Sequence, residues 1–404
     1  MKLLTNICRI LTGLVFIFSG FVKGIDPMGT AYKISDYLLA FHISSPDNLS
    51  LAFSILLCTA EFVTGIMLLS GAFTEVASWF AALFMLIFTP LTFYLAIYNP
   101  VSDCGCFGDA IHLTNWQTFG KNIFISLPVI FLFIKRKETA RTLKRQAAIA
   151  TTSLFVLFFW TFIVTNILYL PLIDFRAYKP GTDINQAMTI PQGAPTDKYD
   201  IRFIYEKNGE NKLFSIKDYP ANDTSWKFVD QQSVLIKKGF VPPIHDFSLT
   251  AIDGGDATKD VLSFPGYTLL MATGKVEKAS VMNLVKGFKA AEAATRNNIR
   301  YYTITSSSKE NAKTISAKYP VLFCDETTIK TIIRANPGFV LIHNGVVKAM
   351  WSVLSLPSAE LFSDPDRLVA ENQNKRTRRL IITFVLTGVL IISAFCLPYW
   401  TKEV

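Results

Sequence analysis

Six long apolar runs constrain the fold of this chain more than any other feature of its sequence. They cover residues 7–22, 49–69, 76–97, 122–134, 148–170 and 380–398. A helix needs about 20 predominantly apolar residues to cross the hydrocarbon core of a bilayer, and five of the six runs come close to that length. The fourth run is shorter and contains Pro128. One such run could be a core helix of a soluble protein, but six of them predict a multi-pass membrane protein.

The composition supports the same class of protein. Hydrophobic residues make up 50% of the 404 residues and charged residues only 18%, against about 25% charged residues in soluble proteins. The net charge is +9, but the basic residues gather beside apolar runs, at 135–145 and 375–379, as they do in membrane proteins. These features exclude a disordered chain, and we expect no nucleic-acid partner because no face-wide basic excess is evident.

The basic residues of the short loops predict the orientation. The loop 135–145 carries six basic residues and only one acidic residue, Glu138, and loops of this kind remain in the cytoplasm. The loops 23–48 and 99–115, and the long segment before the last run, then lie outside. The basic residues 375–379 conflict with this orientation, but large domains cross membranes with little regard to charge. We therefore expect a bacterial inner-membrane protein whose large domain faces the periplasm.

The segment between the fifth and sixth runs has the pattern of an α/β domain. Asn208-Gly209 and Asn344-Gly345 each lie between two strand-like runs, which predicts two hairpins. The predicted strands are 199–205, 212–216, 247–252, 267–273, 299–305, 321–323, 339–343 and 346–351, and the predicted helices are 277–297 and 309–318. Because strands and helices alternate, a mixed sheet is expected.

Two cysteines form the strongest candidate for a chemical site. Cys104 and Cys106 are separated only by Gly105 in a loop predicted to lie outside the cytoplasm, where disulfides form. A disulfide across so few residues is strained and exposed, and such disulfides exchange readily. The pair is therefore a candidate site of thiol–disulfide exchange. The alternatives are a structural staple, two thiols that are each bonded elsewhere, and a metal site with Asp103 and His112, although zinc sites usually space their cysteines by two to four residues.

Two charged residues within the first two runs require an explanation. Glu61 lies deep in the second run, where a carboxylate is costly unless it faces a partner or a cavity. Arg9 shares one helical face with Gly13, Phe16, Gly20 and Lys23, whose small members allow a second helix to approach. We predict a structural intramembrane pair between Arg9 and Glu61. A role in proton or quinone chemistry is the alternative.

The first run and the cysteine loop resemble a known membrane family. Residues 9–27 read RILTGLVFIFSGFVKGIDP and residues 104–108 read CGCFG, and together they resemble the DoxX/MauE family. The resemblance covers about residues 1–135 and implies a four-helix membrane bundle. MauE-type members are associated with methylamine utilisation. The resemblance implies a role in maturing a disulfide-rich periplasmic subunit beside a separate thioredoxin-like partner.

The soluble segment resembles a second family. Residues 240–249, FVPPIHDFSL, and 334–347, RANPGFVLIHNGVV, are similar to a thioredoxin fold of the TlpA/peroxiredoxin type over about 240–370. Pro337 occupies the place of the cis-proline of such folds. The reactive cysteines would follow the strand 267–273, but residues 274–280 read GKVEKAS. The domain is therefore expected to be redox-inactive, with Cys324 as an inert buried thiol.

The sequence thus predicts an all-α membrane bundle with an extracytoplasmic thioredoxin-like α/β domain. The predicted divisions are a four-helix domain (1–135), a cytoplasmic basic loop (136–147), a fifth span (148–171), a β-rich segment (172–239), the thioredoxin-like domain (240–372) and a sixth span (380–398).

The predicted function is assistance to thiol–disulfide exchange, or to the maturation of exported proteins, through Cys104 and Cys106. The expected partners are the lipid bilayer and exported clients or a separate thioredoxin-like protein. The rival functions are a membrane scaffold without enzymatic activity and a component that binds a quinone or another small molecule. Cys58 is expected to be a packing residue, and its isolation in the second run weakens any analogy with quinone-linked disulfide generators that use an in-membrane cysteine pair.

Overall fold

The apolar runs fold into long helices. The computed structural model describes residues 2–43, 47–101, 104–139, 143–221, 223–237, 239–316 and 319–400. Its first six helices are α1 (Lys2–Ile25), α2 (Pro27–Ala40), α3 (Asp47–Ser70), α4 (Thr74–Tyr98), α5 (Asn115–Ile134) and α6 (Arg145–Tyr169). All of these except α2 are long and apolar enough to cross a membrane. The prediction of a helical membrane protein is therefore confirmed.

The helix α2 lies where the sequence predicted only an external loop. The side chain of Asp26 accepts a hydrogen bond from the backbone N–H of Gly29 at 2.9 Å, and Pro27 occupies the first helical position. An aspartate cap followed by proline is a strong start signal for a helix. The hydroxyl of Ser54 on α3 donates to the carbonyl of Pro27 at 2.7 Å, which holds the start of α2 against α3.

The small residues of α1 set its contact with α3, as predicted. A Cβ atom at Gly20 would lie 2.6 Å from the backbone nitrogen of Phe62, and one at Gly13 would lie 3.1 Å from the carbonyl oxygen of Gly65. The two helices therefore touch backbone to backbone and run antiparallel, since the residue nearer the start of α1 faces the residue nearer the end of α3. Close contact of this kind is the usual role of glycine between membrane helices.

Residues 183–247 form a compact unit of their own. It contains the short helix α7 (Ile184–Met188) and the strands β1 (Lys198–Lys207), β2 (Glu210–Ser215) and β3 (Lys227–Lys237), in an antiparallel sheet of order β2-β1-β3. The predicted hairpin at Asn208-Gly209 is confirmed, and both turn residues have positive φ, at 58° and 84°. The strand β3 was not predicted because it is exposed along its whole length and lacks an alternating apolar pattern.

The following residues form an α/β domain. Its strands are β4 (Thr250–Ala251), β5 (Tyr267–Thr273), β6 (Arg300–Thr305), β7 (Val321–Phe323), β8 (Gly338–His343) and β9 (Val346–Ser352). Its helices are α8 (Thr258–Ser263), α9 (Val281–Arg296), α10 (Lys309–Ser316) and α11 (Glu326–Ile332). β5 and β7 have the predicted bounds, whereas only two residues of the predicted strand 247–252 pair. The predicted end of α10 at 318 lies outside the described residues.

The strand order of this domain is that of a thioredoxin-like fold. The sheet has the order β4-β7-β6-β5-β8-β9, in which β5, β6 and β7 are parallel and β8 and β9 are antiparallel neighbours joined at Asn344-Gly345. The peptide bond between Asn336 and Pro337, just before β8, is cis. The predicted thioredoxin-like arrangement of this α/β domain is therefore confirmed, including the position of the cis-proline.

One continuous helix closes the α/β domain and leads toward the sixth predicted span. The helix α12 (Pro365–Trp400) has 36 residues. Its first turns pack on the sheet, because Leu368 is 1% exposed and the side chain of Asn372 donates to the carbonyl of Met350 at 3.1 Å. The run 380–398 occupies its second half. The side chains from 394 onward lie outside the described part of the chain, so the sixth span stays a prediction.

Candidate thiol–disulfide site

The loop between α4 and α5 brings the two cysteines together. The sulfurs of Cys104 and Cys106 lie 2.6 Å apart, and both residues are free thiols. Gly105 between them has φ +63°, and Gly108 has φ +54° and donates its N–H to the carbonyl of Gly105 at 2.9 Å. Both conformations favour glycine. The sequence CGCFG therefore forms a tight turn that holds both sulfurs within reach of a disulfide bond.

Three helices hold this loop in place. The hydroxyl of Tyr37 on α2 donates to the carbonyl of Cys104 at 2.5 Å. The ring of Phe107 lies edge-on to Phe18 of α1, with centroids 5.3 Å apart, and the ammonium of Lys121 on α5 lies 4.2 Å from the centroid of Phe107. The cysteines are thus attached to the membrane helices rather than carried on a free loop.

The two thiols have unequal environments. Cys104 is 8% exposed, whereas Cys106 is half-buried. The Cys104 thiol hydrogen-bonds to the Cys106 sulfur and lowers the pKa of Cys106; burial opposes this, but Lys121 and Lys23 lower that pKa further. The same hydrogen bond and burial raise the pKa of Cys104. Cys106 is therefore the better nucleophile, since the thiolate is the reactive form.

A buried ion pair lies beneath the loop, but it is not the predicted one. The ammonium of Lys23 lies 2.6 Å and 2.8 Å from the two carboxylate oxygens of Glu61, and the two side chains are 6% and 5% exposed. The hydroxyl oxygen of Ser19 lies 2.9 Å from Glu61 Oε2 and 3.0 Å from the carbonyl oxygen of Cys106. Ser19 thus connects the ion pair to the cysteine loop.

The predicted pair between Arg9 and Glu61 is wrong because α1 and α3 are antiparallel. Gly13 faces Gly65, so Arg9, a turn earlier on α1, faces the chain beyond Gly65. Lys23 lies 14 residues after Arg9, about 21 Å along the helix at 1.5 Å per residue. The sequence prediction compared only how deep Arg9 and Glu61 lie in their helices, and it therefore chose Arg9 instead of Lys23 as the partner of Glu61. The Nε atom of Arg9 is buried and has no hydrogen-bond partner among the described residues.

A cavity extends from the sulfurs into the helix bundle. It holds about 750 Å³ when its open mouth is counted, and its lining includes both cysteines, Lys23 and Glu61. The rest of the lining is mainly apolar and aromatic, with Phe16, Phe84 and Phe88 among the contributors. Binding sites for small molecules combine apolar walls with a few polar groups in this way.

The α/β domain reaches the site through one arginine. Arg334 donates from Nε to Asp26 Oδ2 at 2.7 Å and from Nη2 to Asp109 Oδ2 at 2.9 Å, and its side chain is 8% exposed. Asp26 caps α2, and Asp109 lies three residues after Cys106. Arg334 is two residues before Asn336 of the cis peptide. The domain therefore contacts the cysteine loop at Asp109 and the start of α2 at Asp26, through a residue close to its cis-proline.

The remaining predicted residues have simpler environments. Cys58 is fully buried in an apolar cluster, in agreement with a packing role, and Cys324 is 6% exposed. The side chain of Cys396 lies outside the described residues, as does Asp103 of the alternative metal site. In the part of the chain that the structure describes, no group of three metal-ligating His, Cys, Asp or Glu residues occurs.

Several residues of the site were not predicted from the sequence. Lys23 was recognised only as a helix-end anchor, and Arg334 only as part of a family-like segment. Lys121 lies near the start of an apolar helix, and a charged residue in such a helix is rare enough to mark a candidate functional residue. No sequence pattern marked Tyr37 as a site residue, because it lies on α2, a helix that was not predicted.

Two family models match separate parts of the chain. Residues 1–134 match the family model described as methylamine utilisation protein MauE, and residues 199–238 match a domain of unknown function, DUF8463. No curated protein matches the chain. The matched residues 1–134 contain α1 to α5, and hence the whole cysteine loop.

Among the solved structures that match the chain, two cover about a third of it each. One, from Bacteroides thetaiotaomicron, is described as a protein disulfide isomerase; it is 20% identical with a TM-score of 0.24, and the match covers 31% of this chain and 85% of that one. The other, Arabidopsis thaliana ScoI with copper bound, is 16% identical with a TM-score of 0.23, and the match covers 33% of this chain and 97% of that one.

Proposed function

We propose that this membrane protein, which joins a MauE-family domain to a thioredoxin-like domain, oxidises exported proteins through Cys104 and Cys106. The observation that carries the proposal is the 2.6 Å distance between the two sulfurs, held by the glycine turn beside Lys121 and Lys23. A client thiolate attacks the sulfur of Cys106, the residue with the lowered pKa, and Cys104 leaves as a thiolate. A second client thiolate then attacks the mixed disulfide and releases Cys106. The client loses two electrons and gains a disulfide, while the cysteine pair becomes a dithiol.

The electrostatics of Cys106 favour this direction of electron flow. A disulfide is a strong oxidant when its reduced form is stabilised. The hydrogen bond from Cys104 and the positive charges of Lys121 and Lys23 stabilise the Cys106 thiolate, which exists only in the reduced protein. The pair is therefore expected to release its oxidation readily.

The compartment follows from the predicted orientation. The loop 99–115 and the thioredoxin-like domain lie in the periplasm of the proposed inner-membrane protein, where disulfides persist. The family description refers to methylamine utilisation, and a disulfide-rich periplasmic subunit is the proposed class of client. The α/β domain has no cysteine in 274–280, so its proposed role is to hold a client, or a separate thioredoxin-like partner, beside the cysteine loop.

Trapping of mixed disulfides tests the proposal. The variant Cys104→Ser retains the nucleophile and lacks the resolving thiol, so it should accumulate adducts with periplasmic proteins. The matched variant Cys106→Ser should accumulate far fewer. The reduction potential of the wild-type pair should lie near that of known oxidants, about −120 to −180 mV. A potential below about −300 mV, with no adduct on either variant, would contradict the proposal. The cysteine pair would then be a structural disulfide in a membrane scaffold.

The cavity beneath the sulfurs favours a quinone as the electron acceptor that regenerates the disulfide. The dithiol would transfer two electrons and two protons to a quinone, giving a quinol and the Cys104–Cys106 disulfide. The apolar and aromatic walls suit a quinone ring, and Lys23 lies in the lining. The reduced protein, mixed with a soluble ubiquinone analogue, should lose the quinone absorbance only if both cysteines are present. Persistence of the dithiol would exclude quinones and leave oxidation by another protein.

A further inference from the structure

The basic cluster 375–379, which conflicts with the predicted orientation, lines a separate pocket. The pocket holds about 1160 Å³ when its mouth is counted and lies between the end of α6, the end of β9 and α12. Lys375, Arg376, Arg378 and Arg379 line it, with Asp174 as the acidic member of the lining. Four cations against one carboxylate make this pocket strongly positive.

Three of these charges are already engaged. Lys375 lies 2.6 Å from Glu371 Oε1. Asp174 forms a buried pair with Arg176, at 2.6 Å. Arg379 donates to the carbonyls of Tyr169 and Leu170, at 2.9 Å and 3.4 Å. A cation at the C-terminus of a helix is favourable, so Arg379 stabilises the end of α6.

Arg376 and Arg378 differ from their neighbours. Among the described residues neither makes a hydrogen bond or an ion pair, although Arg376 is half-buried. Burial lowers the pKa of Arg376; Asp174 counteracts this, and Arg176 adds to it. A half-buried guanidinium without a bound anion is costly. Asp174 is paired with Arg176, so it leaves the charges of Arg376 and Arg378 unbalanced within the lining.

The position of the pocket identifies the class of anion. It lies where α6, a candidate membrane span, ends and where the apolar run of α12 begins at residue 380. Leu354 and Ile382 of the lining are 55% and 47% exposed, and Phe384 further along α12 is 79% exposed. The ring of Tyr169 lies 5.6 Å from the Arg379 guanidinium, and tyrosine is enriched at the membrane–water interface. Cations thus adjoin an exposed apolar surface.

We propose that this pocket binds the headgroup phosphate of an anionic phospholipid. Arg376 and Arg378 contact the phosphate oxygens, for which the planar guanidinium is well suited. The acyl chains lie along the exposed apolar side chains of α12. Basic pockets beside membrane helices bind anionic lipids in this manner. The lipid also explains why a basic cluster is retained on the predicted outer side of the membrane.

Lipid binding to the full-length protein in neutral detergent tests the proposal. Native mass spectrometry with added phosphatidylglycerol should show one tightly retained lipid, and phosphatidylcholine should not replace it. The double variant R376Q/R378Q should bind phosphatidylglycerol about 30-fold more weakly. The control R202Q/R296Q removes the same charge from exposed sites and should bind as wild type.

Two further measurements test whether the loss of binding reflects misfolding and whether the pocket binds free anions instead of a lipid. The variant R376K/R378K keeps the charge without the planar guanidinium, so its affinity should lie between those of the wild type and R376Q/R378Q. Equal thermal unfolding temperatures of the three proteins exclude a loss caused by misfolding. Inorganic phosphate should compete only weakly, because it has no acyl chains. Equal binding by R376Q/R378Q and wild type would overturn the proposal. Displacement of the lipid by phosphate at equal concentration would also overturn it, since the pocket would then be a site for free anions.

Discussion

Arg334 and Asp26 are 308 residues apart in sequence and form a buried ion pair in which Nε of the arginine lies 2.7 Å from Oδ2 of the aspartate. The same guanidinium binds Asp109, which lies three residues after Cys106 in the cysteine loop. Asp26 also caps α2, the helix that supplies Tyr37 to the carbonyl of Cys104. One side chain of the thioredoxin-like domain therefore supports the geometry of the loop from outside the membrane helices.

Removal of this arginine should loosen the loop. The variant Arg334→Met leaves Asp26 and Asp109 without their cation, and loss of one partner of a buried pair costs about 3–5 kcal/mol. Thermal unfolding in detergent should occur at a lower temperature, and alkylation of Cys106 should be faster. The control Arg300→Met removes an arginine whose pair with Asp260 is largely exposed, so it should change stability by about 1 kcal/mol or less. Equal effects of the two variants would show that Arg334 is not a support.

The buried pair Lys23–Glu61 should behave as a coupled unit. Lys23→Met or Glu61→Gln alone leaves one charge among membrane helices, which costs a few kcal/mol. The double variant leaves no charge and should recover much of the stability, with a coupling of about 1–3 kcal/mol in a double-mutant cycle. The cycle with Arg9→Met and Glu61→Gln should be additive, because these residues do not meet. Coupling only in the cycle with Arg9 would show that Arg9, and not Lys23, is the partner of Glu61.

The parts of the fold that could be predicted depend on local patterns. The apolar runs gave five long helices, and Asn208-Gly209 and Asn344-Gly345 gave two hairpins, because hydrophobic length and turn chemistry act over a few residues. The thioredoxin-like fold was expected from the resemblance around Pro337. The strand β3 lacks such a pattern. The strand β4 has only two residues and is too short to show an alternating pattern.

The contacts of the site could not be predicted in the same way. Glu61 signalled a partner, but the choice between Arg9 and Lys23 depends on how α1 and α3 run past each other. The contact of Arg334 with Asp26 links two domains that a sequence pattern treats separately. Only the spacing of Cys104 and Cys106 was local, and those two residues were identified from the sequence alone.

A side chain at Gly105 should destabilise the turn. Its φ of +63° is unfavourable for other residues, and a Cβ atom would lie 3.1 Å from Cγ of Lys33. The variant Gly105→Ala should lose about 1–2 kcal/mol of stability and exchange disulfides more slowly. Gly120→Ala is the control, because that glycine is in α5 with open space around it, and alanine there should stabilise by about 0.5–1 kcal/mol. Unfolding temperatures measure both; an unchanged temperature for Gly105→Ala would contradict the predicted strain.

Labelling with a membrane-impermeant maleimide should reveal the orientation. Lys137 and Lys217 are both exposed lysines, so Lys137→Cys and Lys217→Cys are matched sites. In intact spheroplasts, Lys217→Cys should label above the level of the parent chain. Lys137→Cys should label only after lysis. Labelling of both before lysis would remove α6 as a span and make the basic cluster 375–379 the better guide to orientation.

The reactivity of Cys106 should depend on pH in a way that identifies its neighbours. The hydrogen bond from Cys104 and the charge of Lys121 lower the pKa of Cys106, so in the variant Cys104→Ser, whose hydroxyl can still donate, alkylation should persist well below the usual pKa of cysteine. Cys104→Ala removes the donor, and Lys121→Met in the Cys104→Ser background removes the charge. Each change should raise the midpoint of the alkylation profile and slow alkylation at pH 7 several-fold, because less thiolate remains. Mass spectrometry of the peptide that contains Cys106 measures the rate. A midpoint that is unchanged in both variants would mean that neither group activates this thiol.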